Sequence, residues 1–269
     1  MGKLRIYQID AFTGRLFSGN PAAVVPLEDW LDDRTLQAIA RENNLSETAF
    51  FVPLESGYRL RWFTPEVEVR LCGHATLAAA FVLFTEIEPE LEVVSFETLS
   101  GRLEVSRSAD RLRMDFPRWT LEPVERVPES LIGGLGVEPA ELLMVETGDN
   151  FFAVLDSESE VRALKPDFGV LETLHPAGVI VTAKGEESDC VCRYFAPSYG
   201  IAEDPGTGSI HCALVPYWSA RLGKRKIHSR QVSARGAEFH CELAVGELGA
   251  ERTIIFGQAV KYLDGWVRH

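Results

Sequence analysis

The sequence is short of positive charge. It sets 27 Lys and Arg against 40 Asp and Glu, a formal net charge of −13. A surface with that balance repels nucleic-acid phosphates and anionic membranes, so neither is expected as a partner. The one basic cluster, Arg221, Lys224, Arg225, Lys226 and Arg230, reads as a solvated turn. Cysteine is also scarce. There are five, an odd number, and only Cys190 and Cys192 are close in sequence. Cys-x-Cys on a strand puts both thiols on one face, and without a second pair it is not a zinc pattern. Reduced thiols and a cytoplasmic location are expected. The first residues carry no apolar leader core and no Ser or Thr at the myristoylation position. The longest apolar run, Ala75–Phe84, is too short to span a bilayer. The chain has no Gly-x-Ser-x-Gly elbow, no phosphate-binding loop, no dinucleotide fingerprint and no low-complexity tract. Cys72, His74, His211 and Cys212 could hold a metal only if two distant turns converge, and no carboxylate-rich loop supports one, so no metal is expected. Cofactor-free acid–base chemistry remains.

What is present is an ordinary globular composition, 46% hydrophobic and 25% charged, in a chain of 269 residues. That length supports a substantial core, in one large domain or two modest ones. The organising stretch is Leu71-Cys72-Gly73-His74-Ala75-Thr76-Leu77-Ala78-Ala79-Ala80-Phe81-Val82-Leu83-Phe84. A glycine turn carrying a cysteine and a histidine opens about three turns of nearly all-apolar helix, which must be wrapped on every side. The unpaired amide N–H groups at its mouth suit an anion. Gly208-Ser209-Ile210-His211-Cys212-Ala213-Leu214 echoes this pattern about half a chain later. Two readings follow: a duplication with both helix mouths on one cleft, or two unrelated core helices with glycine starts.

Between these landmarks the alternation predicts strands at Leu4–Asp10, Ala22–Pro26, Ala49–Pro53 and Tyr58–Phe63. A meander follows near Leu91–Glu97, Arg102–Ser106 and Arg111–Phe116. Asp32 and Asp33 can cap a helix over Arg34–Glu42, which Asn43-Asn44 stops. Pro117–Pro128, with three prolines, reads as a linker. The second half repeats the style. Its strands lie near Leu142–Val145, Phe151–Leu155, Gly178–Val181, Asp189–Phe195, His228–Ser233, Glu238–Val245, Thr253–Phe256 and Val260–Leu263, with weak helices near Glu158–Leu164 and Phe168–Leu174. Strand-rich halves round central helices give an α+β class.

Several residues could carry chemistry. Glu47 follows a helix stop and precedes Ala49-Phe50-Phe51-Val52. Apolar surroundings disfavour a charged carboxylate and suit it to proton transfer, although a Glu in Ser-Glu-Thr can also be a surface cap. His74 at the first helix mouth could donate to an anion or shuttle a proton, or be a core histidine bound to a carbonyl. Cys72 could be a thiolate or a small buried hydrophobe. Asp204, before Pro205-Gly206-Thr207-Gly208, could hold a polar substrate group while also forming the turn. Ser209, placed in the first turn of the second helix, could bind a carboxylate. Gly73 and Gly208 let backbone approach a ligand closely.

The motifs Asp10-Ala11-Phe12-Thr13, Gly19-Asn20-Pro21-Ala22-Ala23-Val24, Asn44-Leu45-Ser46-Glu47-Thr48-Ala49-Phe50, Arg61-Trp62-Phe63-Thr64-Pro65, Cys72-Gly73-His74-Ala75-Thr76, Phe195-Ala196-Pro197, Glu203-Asp204-Pro205-Gly206-Thr207-Gly208-Ser209, His211-Cys212-Ala213-Leu214 and Gln231-Val232-Ser233-Ala234-Arg235-Gly236 together resemble the PhzF-like phenazine biosynthesis isomerase family. The matches are collinear over nearly the whole chain. The resemblance implies a diaminopimelate epimerase-like fold of two pseudo-symmetric α+β domains, 1–118 and 119–269, with the last strand able to return to the first. It implies Glu47 as the acid–base residue, His74 and Asp204 as polar partners, and Gly73, Ser209, Gly208 and Asn20 as substrate-binding groups. It also implies a small carboxylated substrate, no cofactor and a homodimer. The family's phenazine enzyme isomerises trans-2,3-dihydro-3-hydroxyanthranilate. Related epimerases use opposed cysteines. Here Cys72 is suitably placed but Thr207 stands at the second position, so one carboxylate is preferred to two thiols. A racemase of this fold and a non-catalytic binding protein are the alternatives. Gly206 and Arg235-Gly236-Ala237 depart from the more usual pattern and leave the substrate open.

Overall fold

The computed structural model describes residues 2–246 and 249–269. In chain order the first elements are β1 (Lys3–Ala11), β2 (Asn20–Pro26), α1 (Asp33–Asn43), β3 (Glu47–Pro53), β4 (Tyr58–Phe63), β5 (Glu68–Val69), α2 (Gly73–Val82), β6 (Val93–Thr98), β7 (Gly101–Ser108) and β8 (Arg111–Pro117). A π-helical turn, Leu83–Ile87, extends α2. Then come β9 (Leu121–Pro123), α3 (Glu129–Leu135), β10 (Glu141–Val145), β11 (Asn150–Val154), α4 (Glu158–Ala163), α5 (Phe168–Glu172), β12 (Gly178–Lys184), β13 (Cys190–Ala196), β14 (Ile201–Asp204), α6 (His211–Leu222), β15 (Lys226–Gln231), β16 (Ala237–Val245), β17 (Glu251–Gly257) and β18 (Ala259–Arg268). Strands carry most of the regular structure, and the class is α+β. Among the described residues, no helix is long and apolar enough to cross a membrane.

The chain divides into two compact units: Met1–Asp115 with Ile255–His269, and Phe116–Ile254. The sequence-based limits ran the second domain to His269 while allowing the last strand to return. That strand belongs to the first unit because β18 pairs antiparallel with β1 along its length, from Lys3 opposite Arg268 to Ala11 opposite Ala259. The reading near Val260–Leu263 found only the start of this strand.

In the first unit β1 lies between β18 and β2, β2 runs parallel to β3, and β3 pairs antiparallel with β4. The meander β6–β7–β8 adds to β4. Helix α2 packs on β1, β2, β3 and β18. Its residues Ala75, Leu77, Ala78, Ala79, Ala80 and Val82 are fully buried, as expected for a helix without a polar face. The strand end at Gly257 fits against it because a Cβ there would meet the Phe12 ring and Leu77. Helix α1 starts where Asp32 accepts from the Thr35 N–H and stops at Asn44, whose left-handed φ of 49° turns the chain toward β3.

In the second unit β9, β10 and β11 form an antiparallel run, β11 lies parallel to β12, and β12 pairs antiparallel with β13. Strand β13 carries β14 antiparallel and β15 parallel, and β15 pairs antiparallel with β16. Helix α6 packs on β15 and β16. A separate apolar cluster around Leu131, Phe151, Val161, Leu171, Val181 and Phe195 lies beneath α3, α4 and α5. The segment read as a linker holds β9, and α3 follows it where no helix was expected. The basic cluster is not one turn: Arg221 ends α6, whereas Lys226 and Arg230 stand on β15.

Candidate functional site

The first unit gathers four of the expected residues. Glu47 is the first residue of β3, two positions earlier than the strand read from the sequence. It pairs with Ala22 of β2, while the pairing with β4 begins one residue later at Thr48, and its side chain is 7% exposed. His74 stands in the first turn of α2, 5% exposed, with Gly73 before it at the helix start. The His74 Nε2 lies 3.1 Å from Glu47 Oε2. Their approach is oblique, and no aligned hydrogen bond reaches that carboxylate oxygen from the described residues. A buried oxygen of this kind retains its capacity to take a proton. On the other side of the ring, Nδ1 lies 3.1 Å from the Asn20 side-chain nitrogen and 3.4 Å from Cys72 Sγ. In the neutral ring protonated at Nε2, Nδ1 accepts from the Asn20 amide and the N–H faces Glu47. Gly19 makes room for Asn20: its φ is 66°, and a Cβ would meet the Ala11 carbonyl.

Charge and burial act in opposite directions here. Burial pulls His74 toward its neutral form, but Cys72 and Glu47 outweigh it and hold the imidazole well above its ordinary range. Burial, then the Glu47 charge, pushes the Cys72 thiol up to about 11. Cys72 is therefore a thiol at neutral pH.

The second unit holds the other three. Asp204 ends β14 and is 7% exposed. The Thr207 hydroxyl donates to its Oδ2. Gln231 closes the loop: its Nε2 donates to the Asp204 carbonyl at 2.6 Å, and its Oε1 accepts from the Thr207 N–H at 2.7 Å. His211 Nδ1 lies 3.0 Å from the Thr207 carbonyl and Nε2 3.0 Å from Ser229 Oγ, which puts the ring proton on Nδ1. Burial lowers His211 to about 4, so it is neutral. Gly208 and Ser209 precede α6 in a turn. Ser209 was expected inside the first helical turn, but the helix begins at His211.

Sequence reasoning assigned no role to Gln231 or Ser229. A signal existed: on β15 they fall in phase with Ile227, and all three are buried. Polar residues in the apolar phase of a strand must find partners inside.

The profile of the family described as phenazine biosynthesis-like protein matches residues 9–265. The chain belongs to that family. A Pseudomonas aeruginosa protein named as an uncharacterized isomerase is 48% identical over 263 residues, 98% of each chain. The crystal structure of a PhzF family phenazine biosynthesis protein of Enterococcus faecalis superposes with a TM-score of 0.93 at 42% identity, covering 100% of both chains. A hydroxyproline epimerase of Agrobacterium vitis, 14% identical, has the same fold at a TM-score of 0.64, over 98% of this chain and 91% of its own. The PhzF-like isomerase family and its epimerase-like α+β fold are thus shared by this chain.

Proposed function

We propose that the protein is a cofactor-independent isomerase in which the Glu47 carboxylate moves a proton between carbons of a small carboxylated substrate. The observation that carries this is the buried Glu47 Oε2, lacking an aligned hydrogen bond and 3.1 Å from His74 Nε2. The carboxylate takes a proton from a carbon beside an electron-withdrawing group, and the electron pair left behind spreads into that group. The same carboxyl returns the proton to another carbon. The atoms and oxidation state of substrate and product balance, so the step consumes no co-reactant. His74 stabilises the carboxylate before transfer and can donate to charge developing on the substrate. Asp204 is proposed, with His74, as a catalytic polar partner that holds the substrate and stabilises its developing charge, and Gly73, Gly208, Ser209 and Asn20 as substrate-binding groups.

The rival reading, a two-base epimerase, needs a second strong base. Cys72 is held as a thiol, and the Thr207 hydroxyl is already a donor to Asp204. The test is solvent-deuterium incorporation in D₂O, followed by NMR, with trans-2,3-dihydro-3-hydroxyanthranilate and with a panel of amino acids. Isomerisation of the first, lost in Glu47→Gln and retained in Cys72→Ser, supports the proposal. Exchange at an amino-acid α-carbon that survives Glu47→Gln but not Cys72→Ser favours the epimerase. Tight binding of a carboxylate without exchange favours a non-catalytic binder. A homodimer is also proposed, and the exposed Phe17, Tyr262 and Trp266 of the first unit are the aromatic surface available for it.

A further inference from the structure

We infer that the outer face of the β15–β16 pair is a binding site for one divalent transition-metal ion, held by His228, His240 and Glu238. The strand register creates it. His228 and His240 stand directly opposite each other, and Glu238 lies two residues from His240 on the same face. The burial alternation puts these three outward, whereas Ile227, Ser229, Gln231, Phe239 and Cys241 point inward. The His228 Nε2 is 2.7 Å from Glu238 Oε1, and the His240 Nε2 is 3.9 Å from the same oxygen. One donor atom from each residue falls within 4.8 Å of the others.

Two imidazole nitrogens and one carboxylate oxygen form a three-ligand set that suits zinc and its neighbours, with remaining positions open to water. Calcium and magnesium prefer all-oxygen shells. Donors on a tetrahedral ion about 2.1 Å away stand about 3.4 Å apart. The present spacing is close to that. The imidazole planes are parallel within 3° with centroids 4.6 Å apart, so rotation of one partly exposed ring is needed to bring both lone pairs onto the ion. One facing charge is positive, and it is partly offset by an ion pair. Arg230, opposite Glu238, is paired with Glu187 at 2.8 Å, and Lys226 stands opposite Glu242.

An ion here would cross-link β15 to β16. The inner face of β15 carries Ser229 and Gln231, which hold His211 and the Asp204–Thr207 loop. The metal would therefore stiffen the strand that supports this loop, without entering it. The cluster of Glu47, Cys72 and His74 also brings metal-binding atom types together, so the experiment must tell the two places apart.

The test uses the full chain, titrated with zinc chloride by calorimetry and followed by imidazole ¹H–¹⁵N NMR. One equivalent is expected to shift His228 and His240 together. The His228→Ala/His240→Ala variant is expected to lose that equivalent. Zinc at a hundred times its Kd raises the folding constant of the wild type about a hundredfold, and the variant does not show this gain. The inference is overturned if saturating zinc leaves the His228 and His240 signals unmoved, or if the folded variant binds zinc with unchanged stoichiometry and affinity. The wild-type spectra decide the matter alone if the variant does not fold.

Discussion

At the scale of single residues, the proposed proton transfer rests on the Glu47–His74 contact. Glu47→Gln keeps the shape of the side chain and removes its basicity. The expected loss is about 10²–10⁴-fold in kcat, measured as the rate of deuterium incorporation. The same substitution tests the electrostatics. Burial alone would favour neutral His74, and Cys72 and Glu47 together reverse that preference. In the wild type the His74 imidazole is expected to titrate above the ordinary histidine range. In Glu47→Gln it should titrate lower than in the wild type, because one of the two groups that oppose burial is gone. NMR titration of His74 checks this, and an unchanged titration would count against the 3.1 Å contact as its cause. These groups were visible in the sequence as residue types at a glycine turn and after a helix stop. Their mutual distances were not, since β3 and α2 are far apart in sequence and meet only through the parallel β2–β3 pairing and the packing of α2 on both.

At the scale of elements, legibility followed the strength of the local signal. Helix α2 could be read because an unbroken apolar run after Cys72-Gly73-His74 has one stable solution, complete burial. Helix α1 could be read from Asp32, which caps it. Helix α3 could not, because Gly133-Gly134 and Pro128 argue locally against a helix; Gly134 is needed where the helix meets Leu171. The full length of β18 is imposed by β1, a partner some 250 residues away in the chain, and no local pattern records it. The clamp on the Asp204 loop belongs to this class too, as Gln231 reaches it across 27 residues. Gln231→Leu removes its three bonds to the loop, including a 3.2 Å one to the Thr207 hydroxyl, and leaves the Thr207 N–H and the Asp204 carbonyl buried without them. A loss of about 1–3 kcal/mol for each such group is expected in urea unfolding. Activity should fall as well if Asp204 binds substrate, and unchanged stability would refute the clamp.

At the scale of the whole molecule, the proposed homodimer is tested by sedimentation: a dimer is expected, and Trp266→Glu should weaken it if the exposed aromatics form the contact. Folding stability should also depend on pH through two histidines shifted in opposite directions. His74 is raised, so its contribution is full below the ordinary histidine pKa and is lost as pH rises through its folded value. His211 is lowered to about 4 because burial penalises its cation. The unfolded chain then binds more protons than the folded one between about 6.5 and about 4. Stability should fall on acidification across that window and flatten below it, by about 3 kcal/mol from this one group. Carboxylates add to the same limb: burial raises Asp189 and Glu238, but their hydrogen bonds and neighbouring positive charges together hold both below their ordinary values, so their contributions are lost as pH falls through those lowered values. His211→Gln separates the terms. It keeps a side-chain amide near the Thr207 carbonyl but cannot titrate. Urea unfolding of both proteins from pH 7 to pH 4 should give a steeper decline in the wild type by about 3 kcal/mol over the range, with the variant retaining the carboxylate and His74 contributions. Parallel curves would mean that His211 is protonated in the folded protein, and the tautomer that links Thr207 to Ser229 would then be wrong.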